Sequence, residues 1–192
     1  MQLRAEQTRQ ALIAAAAELI STKGLKDTGL VEIHTSAGVS KGALYFHFSG
    51  KEDLADALHS ETHERLSRLA ERHLRGKEPD AASIAGFLVE LFGEMRTDTV
   101  LRAGLRLESE KRPHDFSGPP PLRAKWLDYL QQHFTSTAGD RAVSDLLCAL
   151  SAGLEALGHN DPYWWKEETV KGICALLTEL VDTASPGALP PA

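Results

Sequence analysis

The spacing of apolar residues along the chain is helical almost throughout. Near the N-terminus, apolar side chains recur at intervals of three and four residues, as Leu12, Ile13, Ala16, Leu19 and Ile20. Such a repeat places them on one face of an α-helix, and Gly24 follows as a residue typical of helix ends. No run of alternating β-branched residues interrupts this pattern. The sequence therefore predicts an all-α protein of about nine helices.

The same periodicity predicts where the helices lie. The predicted helices cover residues 8–23, 30–37, 41–47, 50–75, 82–96, 99–110, 122–137, 140–158 and 163–183. Ser40 and Ser49 precede two of them, where a serine hydroxyl can accept a backbone N–H of the first turn. Ser49 with Glu52 three residues later has the pattern of a capping box. Residues 186–192 have nothing to pack against and are expected to be a disordered tail.

Residues 30–47 have the pattern of a helix-turn-helix, in which the second helix enters the major groove of DNA. Gly38 falls at the turn, where a positive φ is accessible to glycine. Four apolar positions suit the contact between the two helices, namely Ile33, Ala37, Val39 and Leu44. Lys41, Gly42 and Tyr45 are left on the outer face, where a lysine can reach guanine or a phosphate. Phe46 and Phe48 are expected to be core anchors of this small unit.

Charge and composition narrow the class of protein further. The chain has 192 residues, 42% of them apolar and 25% charged, and a net charge of −6. The first 51 residues nevertheless carry a small surplus of lysine and arginine, as a local phosphate-binding surface would. No apolar run is long enough to cross a bilayer and the N-terminus is polar, so we expect a cytoplasmic protein. Cys148 and Cys174 are far apart in apolar segments and are expected to be buried, reduced thiols.

The segment AGVSKGALYFHFSGKEDLA, residues 37–55, resembles the DNA-binding signature of TetR-family transcriptional regulators. Within that family, KGALYFHF and the later VLRAGLRL, residues 100–107, are most similar to the γ-butyrolactone autoregulator receptors. The resemblance implies a helix-turn-helix domain over residues 1–50 and a helical ligand-binding and dimerisation domain over residues 51–185. It also implies a homodimeric repressor on a palindromic operator of double-stranded DNA, released by a small-molecule effector and controlling secondary metabolism.

The resemblance also implies which residues contact DNA. Lys41 and Gly42 would meet the major groove, while the phosphates would be met by Ser40, Tyr45, His47, Lys51 and Thr28. Two positions depart from the family pattern. Gly29 stands where a second hydroxyl is usual, and His34 stands where alanine is nearly invariant. An imidazole at position 34 must either tilt the two helices or find a hydrogen bond.

The ligand pocket and the dimer interface are implied with less detail. Trp126 matches a tryptophan of the receptor cavity, and the further candidates for pocket lining are Phe87, Leu88, Leu91, Leu105, Leu130 and Leu154. Leu154 stands after Gly153 where the receptors often have a hydroxyl. The last two helices have more apolar positions than one face needs, so we expect a dimer interface from Leu146, Leu150, Leu157, Ile173, Leu177 and Leu180. Trp165 is either an interface anchor or a cap on the helical bundle.

A metal site, an enzyme and an interaction module are the alternatives to a regulator. His59 and His63 are spaced to share a helix face and could bind a metal, but no third ligand is identifiable and we expect the pair to be solvated. No nucleophile elbow or glycine-rich phosphate loop is present, so neither an enzyme nor a cofactor is expected. A pseudo-receptor that responds to an antibiotic or to no ligand remains an alternative, as does a helical interaction module without DNA binding.

Overall fold

The computed structural model describes residues 2–74, 81–111, 117–118, 145–146, 149–150, 152–154, 156–158 and 161–184. The helices are α1 (Gln2–Lys23), α2 (Leu30–Ser36), α3 (Lys41–His47), α4 (Lys51–Leu74), α5 (Ala81–Thr97), α6 (Thr99–Glu110) and α7 (Glu167–Ala184). A 3₁₀ turn, Pro162–Trp165, precedes α7, and the described residues within 145–158 are also helical. These described ranges contain no strand, so the all-α prediction is confirmed. The predicted helix over residues 122–137 lies outside them.

Two predicted helix boundaries were wrong. α1 begins at Gln2 rather than at residue 8, because its polar first turns consist of good helix formers and need no apolar stripe. The helix predicted over residues 163–183 is divided, since Tyr163 and Trp165 belong to the 3₁₀ turn. Asp161 caps that turn by accepting the Tyr163 N–H at 2.9 Å, and Lys166, with ψ of 137°, is too extended to continue it.

The two predicted serine caps had different outcomes. Ser40 caps α3 as predicted, because its hydroxyl accepts the Ala43 N–H at 3.1 Å. The capping box of Ser49 with Glu52 was wrong. The Ser49 N–H and hydroxyl both donate to the carboxylate of Asp53, at 2.8 and 3.1 Å, while Glu52 pairs with Lys111. α4 begins at Lys51, one residue later than predicted, so the carboxylate four residues after Ser49 is the one within reach.

The chain divides into two compact units, Met1–Arg65 with Asp98–Leu122, and Leu66–Thr97 with Arg123–Ala192. The core of the first unit is formed by apolar side chains of α1 to α4 and α6. Its fully buried members include Leu12, Ile13, Ile20, Ile33, Leu44, Leu54, Leu58 and Leu107. In the second unit, α5 packs against α7 and the 3₁₀ turn, and Phe87, Leu88, Val170 and Leu177 are buried.

In the first unit, α6 is bonded to the end of α1. The Arg106 guanidinium donates to the carbonyls of Ser21 and Thr22 at 3.1 and 3.0 Å, which satisfies C-terminal carbonyls of α1. Glu110 accepts from Arg106 and from the Leu25 N–H. Gly24 lies between them with φ of +84°, and a Cβ there would overlap the Glu110 carboxylate. The glycine predicted to end α1 is thus required by its backbone and by its neighbour.

α4 and α6 also meet through buried polar groups. His59 is fully buried, and its Nε2 lies 2.9 Å from the carboxylate of Glu108, whose side chain is equally buried. The expectation of a solvated His59 was wrong, because α6 covers that face of α4. Among the described residues, no three metal-ligating side chains come together, and no described helix is long and apolar enough to span a bilayer.

Candidate nucleic-acid interface

α2 and α3 are joined by the short turn that the sequence predicts. Gly38 has φ of +67°, which is accessible to glycine and strained for other residues. Its N–H donates to Thr35, and the Val39 N–H donates to His34 across the turn. Ile33 and Leu44 are fully buried between the helices, while Ala37 and Val39 are partly buried against the same core. The four predicted anchors therefore hold α2 and α3 together.

His34 finds a hydrogen-bond partner within this unit. Its Nδ1 lies 3.2 Å from the carbonyl oxygen of Val39. A carbonyl can only accept, so the imidazole tautomer with hydrogen on Nδ1 is the one that makes this bond. The imidazole at position 34 is therefore accommodated by a hydrogen bond, one of the two predicted alternatives.

Gly29, which has no side-chain hydroxyl, is bonded through its backbone to the carboxylate of Glu32. Glu32 accepts the Gly29 N–H at 3.1 Å, which is one half of a capping box, and binds the Lys23 ammonium at 2.7 Å. These bonds, Lys23 first and Gly29 second, lower the pKa of Glu32. The Lys23 ammonium and the Gly29 N–H therefore both favour the ionised form of Glu32 at the start of α2.

Thr28 does not present its hydroxyl at the surface. The side chain is 2% exposed, and its hydroxyl donates to the Gly24 carbonyl at 2.7 Å. The predicted contact of this hydroxyl with a phosphate was wrong, because the connection from α1 to α2 folds over it. Thr28 stabilises that connection instead.

The outer face of α3 matches the prediction at three positions. Lys41, Gly42 and Tyr45 are exposed, and the Lys41 ammonium lies 5.8 Å from the centre of the Tyr45 ring. Ser40 is exposed as well, at the N-terminal end of the helix. A cation, a bare stretch of backbone and a phenol thus form one continuous surface.

The two phenylalanines of this segment have opposite environments. Phe48 is 2% exposed and lies in the core as predicted, with the Arg9 guanidinium 5.6 Å from its ring centre. Phe46 is 79% exposed, so its prediction as a core anchor was wrong. Four-residue spacing from Gly42 puts Phe46 on the outer face of α3, a signal already present in the sequence. His47, between them, is partly buried and meets the Phe46 ring edge-on.

Lys51 points towards the connection between α1 and α2. Its ammonium donates to the carbonyls of Lys26 and Thr28, at 3.1 and 3.0 Å. Two of its three hydrogens are thereby used within the protein, which leaves one for a phosphate. This positioning contact was not predicted, because it joins residues more than twenty positions apart.

The predicted pocket residues fall in both compact units. Phe87, Leu88, Leu91 and Leu154 are buried in the second unit, and Leu105 is partly buried in the first. Trp126 and Leu130 lie outside the described residues. Burial is expected of a core residue and of a pocket wall alike, so the assignment to a pocket stays a prediction.

The residues predicted for the dimer interface differ in their exposure to solvent. Trp165 and Leu177 are 8% and 5% exposed, so they are buried within the subunit and their prediction as interface residues was wrong. Trp165 packs on Gly158, where a Cβ would overlap the indole ring. Leu150 and Ile173 are partly buried. The outward-facing leucines are Leu146, Leu157, Leu176 and Leu180.

The part of the chain that contains α2 and α3 is similar to known proteins. Residues 12–58 match the model of the family described as bacterial regulatory proteins, tetR family. The A-factor receptor protein of Streptomyces griseus is 34% identical over 127 residues, which cover 66% of this chain and 43% of that protein. The chain spans less than half the length of the curated relatives it matches.

Solved structures align over nearly the whole chain. A γ-butyrolactone receptor described as ArpA-like is 30% identical with a TM-score of 0.68, over 93% of this chain and 97% of that one. The TetR family protein CprB from Streptomyces coelicolor, in complex with its biological operator sequence, is also 30% identical. Its TM-score is 0.67, over 93% of this chain and 96% of that one.

Proposed function

Because the chain belongs to the TetR family of bacterial regulatory proteins, we propose that it is a transcriptional regulator whose α2–α3 unit binds double-stranded DNA. The observation that carries this proposal is the outer face of α3. Lys41, Gly42 and Tyr45 are exposed there on a short helix that Leu44 anchors in the core. In this mode of binding, the second helix enters the major groove and flanking groups hold phosphates.

Each of the predicted contacts has a specific chemical role. Lys41 reaches the O6 and N7 acceptors of guanine or a phosphate, and Gly42 lets the backbone approach the groove. Ser40, Tyr45 and His47 have hydrogen-bond donors for phosphate oxygens. Lys51 contributes its remaining ammonium hydrogen and also holds the connection that precedes α2.

The regulator acts as a homodimer on a palindromic operator. Two copies related by a two-fold axis place two α3 helices on half-sites about one turn of DNA apart. The exposed leucines of α7 and of residues 145–158 support this arrangement, because a second copy would remove their apolar surface from water. The proposed location is the cytoplasm, where bacterial DNA lies.

The proposed regulation is repression that a small molecule relieves. The effector is a γ-butyrolactone-like signal or another metabolite, for which the candidate binding residues in the second unit are Trp126, Phe87, Leu88, Leu91, Leu130 and Leu154. The regulated genes belong to secondary metabolism. Release requires a difference in affinity between two conformations of the protein. The effector must have a higher affinity for the conformation without DNA-binding activity than for the DNA-binding conformation. No cofactor and no catalytic residue enters this scheme.

A second candidate is a pseudo-receptor that responds to an antibiotic or to no ligand. Leu154 favours it, since this side chain is buried and apolar where the receptors often have a hydroxyl. A buried leucine cannot anchor a lactone carbonyl by a hydrogen bond. The two candidates differ in effector and agree on DNA binding.

Binding of the purified protein to DNA upstream of its own gene tests the shared part of the proposal. We expect salt-sensitive binding that survives competitor DNA. Lys41→Ala should weaken it and make the salt dependence shallower, by about one unit if Lys41 meets a phosphate. The matched control is Lys166→Ala, which removes an exposed lysine of the second unit.

Absence of any binding to that region and to neighbouring promoters would contradict the regulator. The effector is tested in the same assay. Addition of γ-butyrolactones should release the DNA if the receptor candidate is correct, whereas release only by an antibiotic, or by nothing, supports the pseudo-receptor. Trp126→Ala should leave DNA binding unchanged and weaken the response to the effector.

A further inference from the structure

Phe46 is the most exposed large apolar side chain in the described part of the chain, at 79%. Single apolar residues on a surface are ordinary, so exposure alone assigns nothing. The position of this residue is more informative. Phe46 lies on α3, four residues after Gly42, and the two therefore share one row of the helix surface.

Gly42 leaves open space beside that ring. A Cβ built on Gly42 would find only the Ser40 hydroxyl oxygen, at 3.9 Å. The neighbouring row of the helix carries Lys41 and Tyr45, which lie against each other. A partner that approaches the bare backbone at Gly42 therefore meets the Phe46 ring on the same face, one turn further along.

The Phe46 ring contacts the ring of the neighbouring His47. The rings of Phe46 and His47 are 5.0 Å apart between centres and stand at 87° to each other, which is a favoured edge-to-face arrangement. Such packing reduces the conformational entropy that the side chain loses on binding.

The chemistry of the ring restricts what it can recognise in DNA. A phenyl group neither donates nor accepts a conventional hydrogen bond, so it cannot read the donor and acceptor pattern of a base or hold a phosphate as Tyr45 can. The 5-methyl group of thymine is the apolar group that base edges present in the major groove. Contact with it buries apolar surface on both sides.

We propose that Phe46 contacts a thymine 5-methyl group and so determines a preference for thymine at one position of each operator half-site. The proposal rests on the proposed function, since it requires α3 to lie in the major groove. Phe46 would then contribute to recognition of the DNA sequence by apolar contact, without a hydrogen bond.

The experiment begins with selection of bound duplexes from a random-sequence library by the full-length protein. Each thymine of the selected duplex is then replaced by uracil, which removes the methyl group and keeps the hydrogen-bonding edge. The wild-type protein should bind about fourfold more weakly at one substituted position of each half-site, the effect of one lost methyl contact. Phe46→Ala should bind the thymine duplex more weakly and be indifferent to uracil at that position.

Two further variants complete the test. Phe46→Leu keeps apolar bulk and should retain part of the sensitivity to uracil. Val31→Ala, which removes another exposed apolar side chain of the same unit, should keep the full wild-type sensitivity. Circular dichroism melting checks that each variant is folded, as expected for substitutions on the surface.

The proposal is overturned if wild type and Phe46→Ala have the same sensitivity to uracil at every position. It is also overturned if Phe46→Ala lowers affinity while uracil has no effect in the wild type, because the ring would then contact only sugar. Failure to select any duplex is a different result, and it counts against the proposed DNA binding itself.

Discussion

His34 and Val39 are joined by two hydrogen bonds in opposite directions across the turn between α2 and α3. The Val39 N–H donates to the His34 carbonyl at 3.0 Å, and Nδ1 of His34 lies 3.2 Å from the Val39 carbonyl. The residue that departs most from the family pattern thus acts as a clamp on the turn. Its polar ring is accommodated because a backbone carbonyl satisfies it.

Replacement of His34 tests this clamp. His34→Ala should lower the free energy of unfolding by about 1 kcal/mol, because the side-chain bond to Val39 is lost. His34→Asn should lie closer to wild type, since an asparagine amide N–H can donate from about the position of Nδ1. Urea unfolding followed by circular dichroism measures both. An alanine variant as stable as wild type would show that the hydrogen bond contributes nothing.

A second prediction concerns the close contact of α4 with α6. A Cβ added at Gly104 would lie 2.5 Å from Cβ of Thr62 and nearer still to its hydroxyl oxygen. Thr62 cannot move away easily, because it is fully buried and its hydroxyl lies 3.0 Å from the carbonyls of Leu58 and Val100. Gly104→Ala should therefore lower the free energy of unfolding by about 1–3 kcal/mol or more.

The matched control is an exposed helical glycine of α5. A Cβ added at Gly93 would meet nothing within 4 Å, so Gly93→Ala should raise the free energy of unfolding by about 1 kcal/mol through helix propensity. Thermal melts compare the two variants directly. Equal melting temperatures for Gly104→Ala and Gly93→Ala would disprove the close approach of α4 and α6.

The proposed dimer interface is tested by a charge on α7. Leu176 is 62% exposed, and Leu176→Glu should dissociate a dimer by burying an unpaired carboxylate at its interface. Val89→Glu, at a side chain of α5 that is 41% exposed, should leave the oligomeric state unchanged. Sedimentation velocity distinguishes these outcomes. A dimer that persists in Leu176→Glu at low concentration would exclude this face of α7.

A fourth prediction follows from the buried thiol of α7. Cys174 is 3% exposed, and burial raises its pKa to about 11. Between the ordinary thiol pKa of about 8.5 and that value, the folded chain holds a proton that the unfolded chain has lost. This contribution to stability is therefore present below about pH 8.5 and is lost as the pH rises towards 11.

Urea unfolding at pH 8 and pH 10.5 measures that contribution in a Cys148→Ala background, where Cys174 is the sole thiol. The free energy of unfolding should fall by about 2 kcal/mol more in this protein than in one that also carries Cys174→Ala. The double variant is expected to be less stable at pH 8, because alanine leaves a small cavity. Equal losses in both proteins would contradict the raised pKa.

Local features of the DNA-binding unit could be predicted from sequence. The glycine at the turn, the serine cap of α3 and the bounds of α6 depend on residues only a few positions apart, and the structure has all three as predicted. The predicted capping box of α4 was wrong, although it also involves residues only a few positions apart. Glu52 and Asp53 are adjacent, and the residue at which the helix begins determines which of the two carboxylates Ser49 contacts.

Features that depend on distant segments could not be predicted. His59 looks like a solvated residue of a charged helix until α6 is placed against it. The ammonium of Lys51 bonds the carbonyls of Lys26 and Thr28, which lie more than twenty positions earlier in the chain, so nothing near Lys51 in the sequence indicates these contacts. In each case the hydrogen-bond partner belongs to a residue that is far away in the sequence, so the neighbouring residues do not indicate the contact.

The amino-acid sequence by itself determined that this protein is helical, that residues 30–47 form two short helices about a glycine turn, and which face of α3 is polar. Helical periodicity, helix caps and turn residues depend on residues a few positions apart, so they can be recognised in the sequence. Tertiary structure alone decided that His59 and Trp165 are buried. Burial is a property of the packed chain, because an apolar side chain leaves water only where another segment has come to cover it.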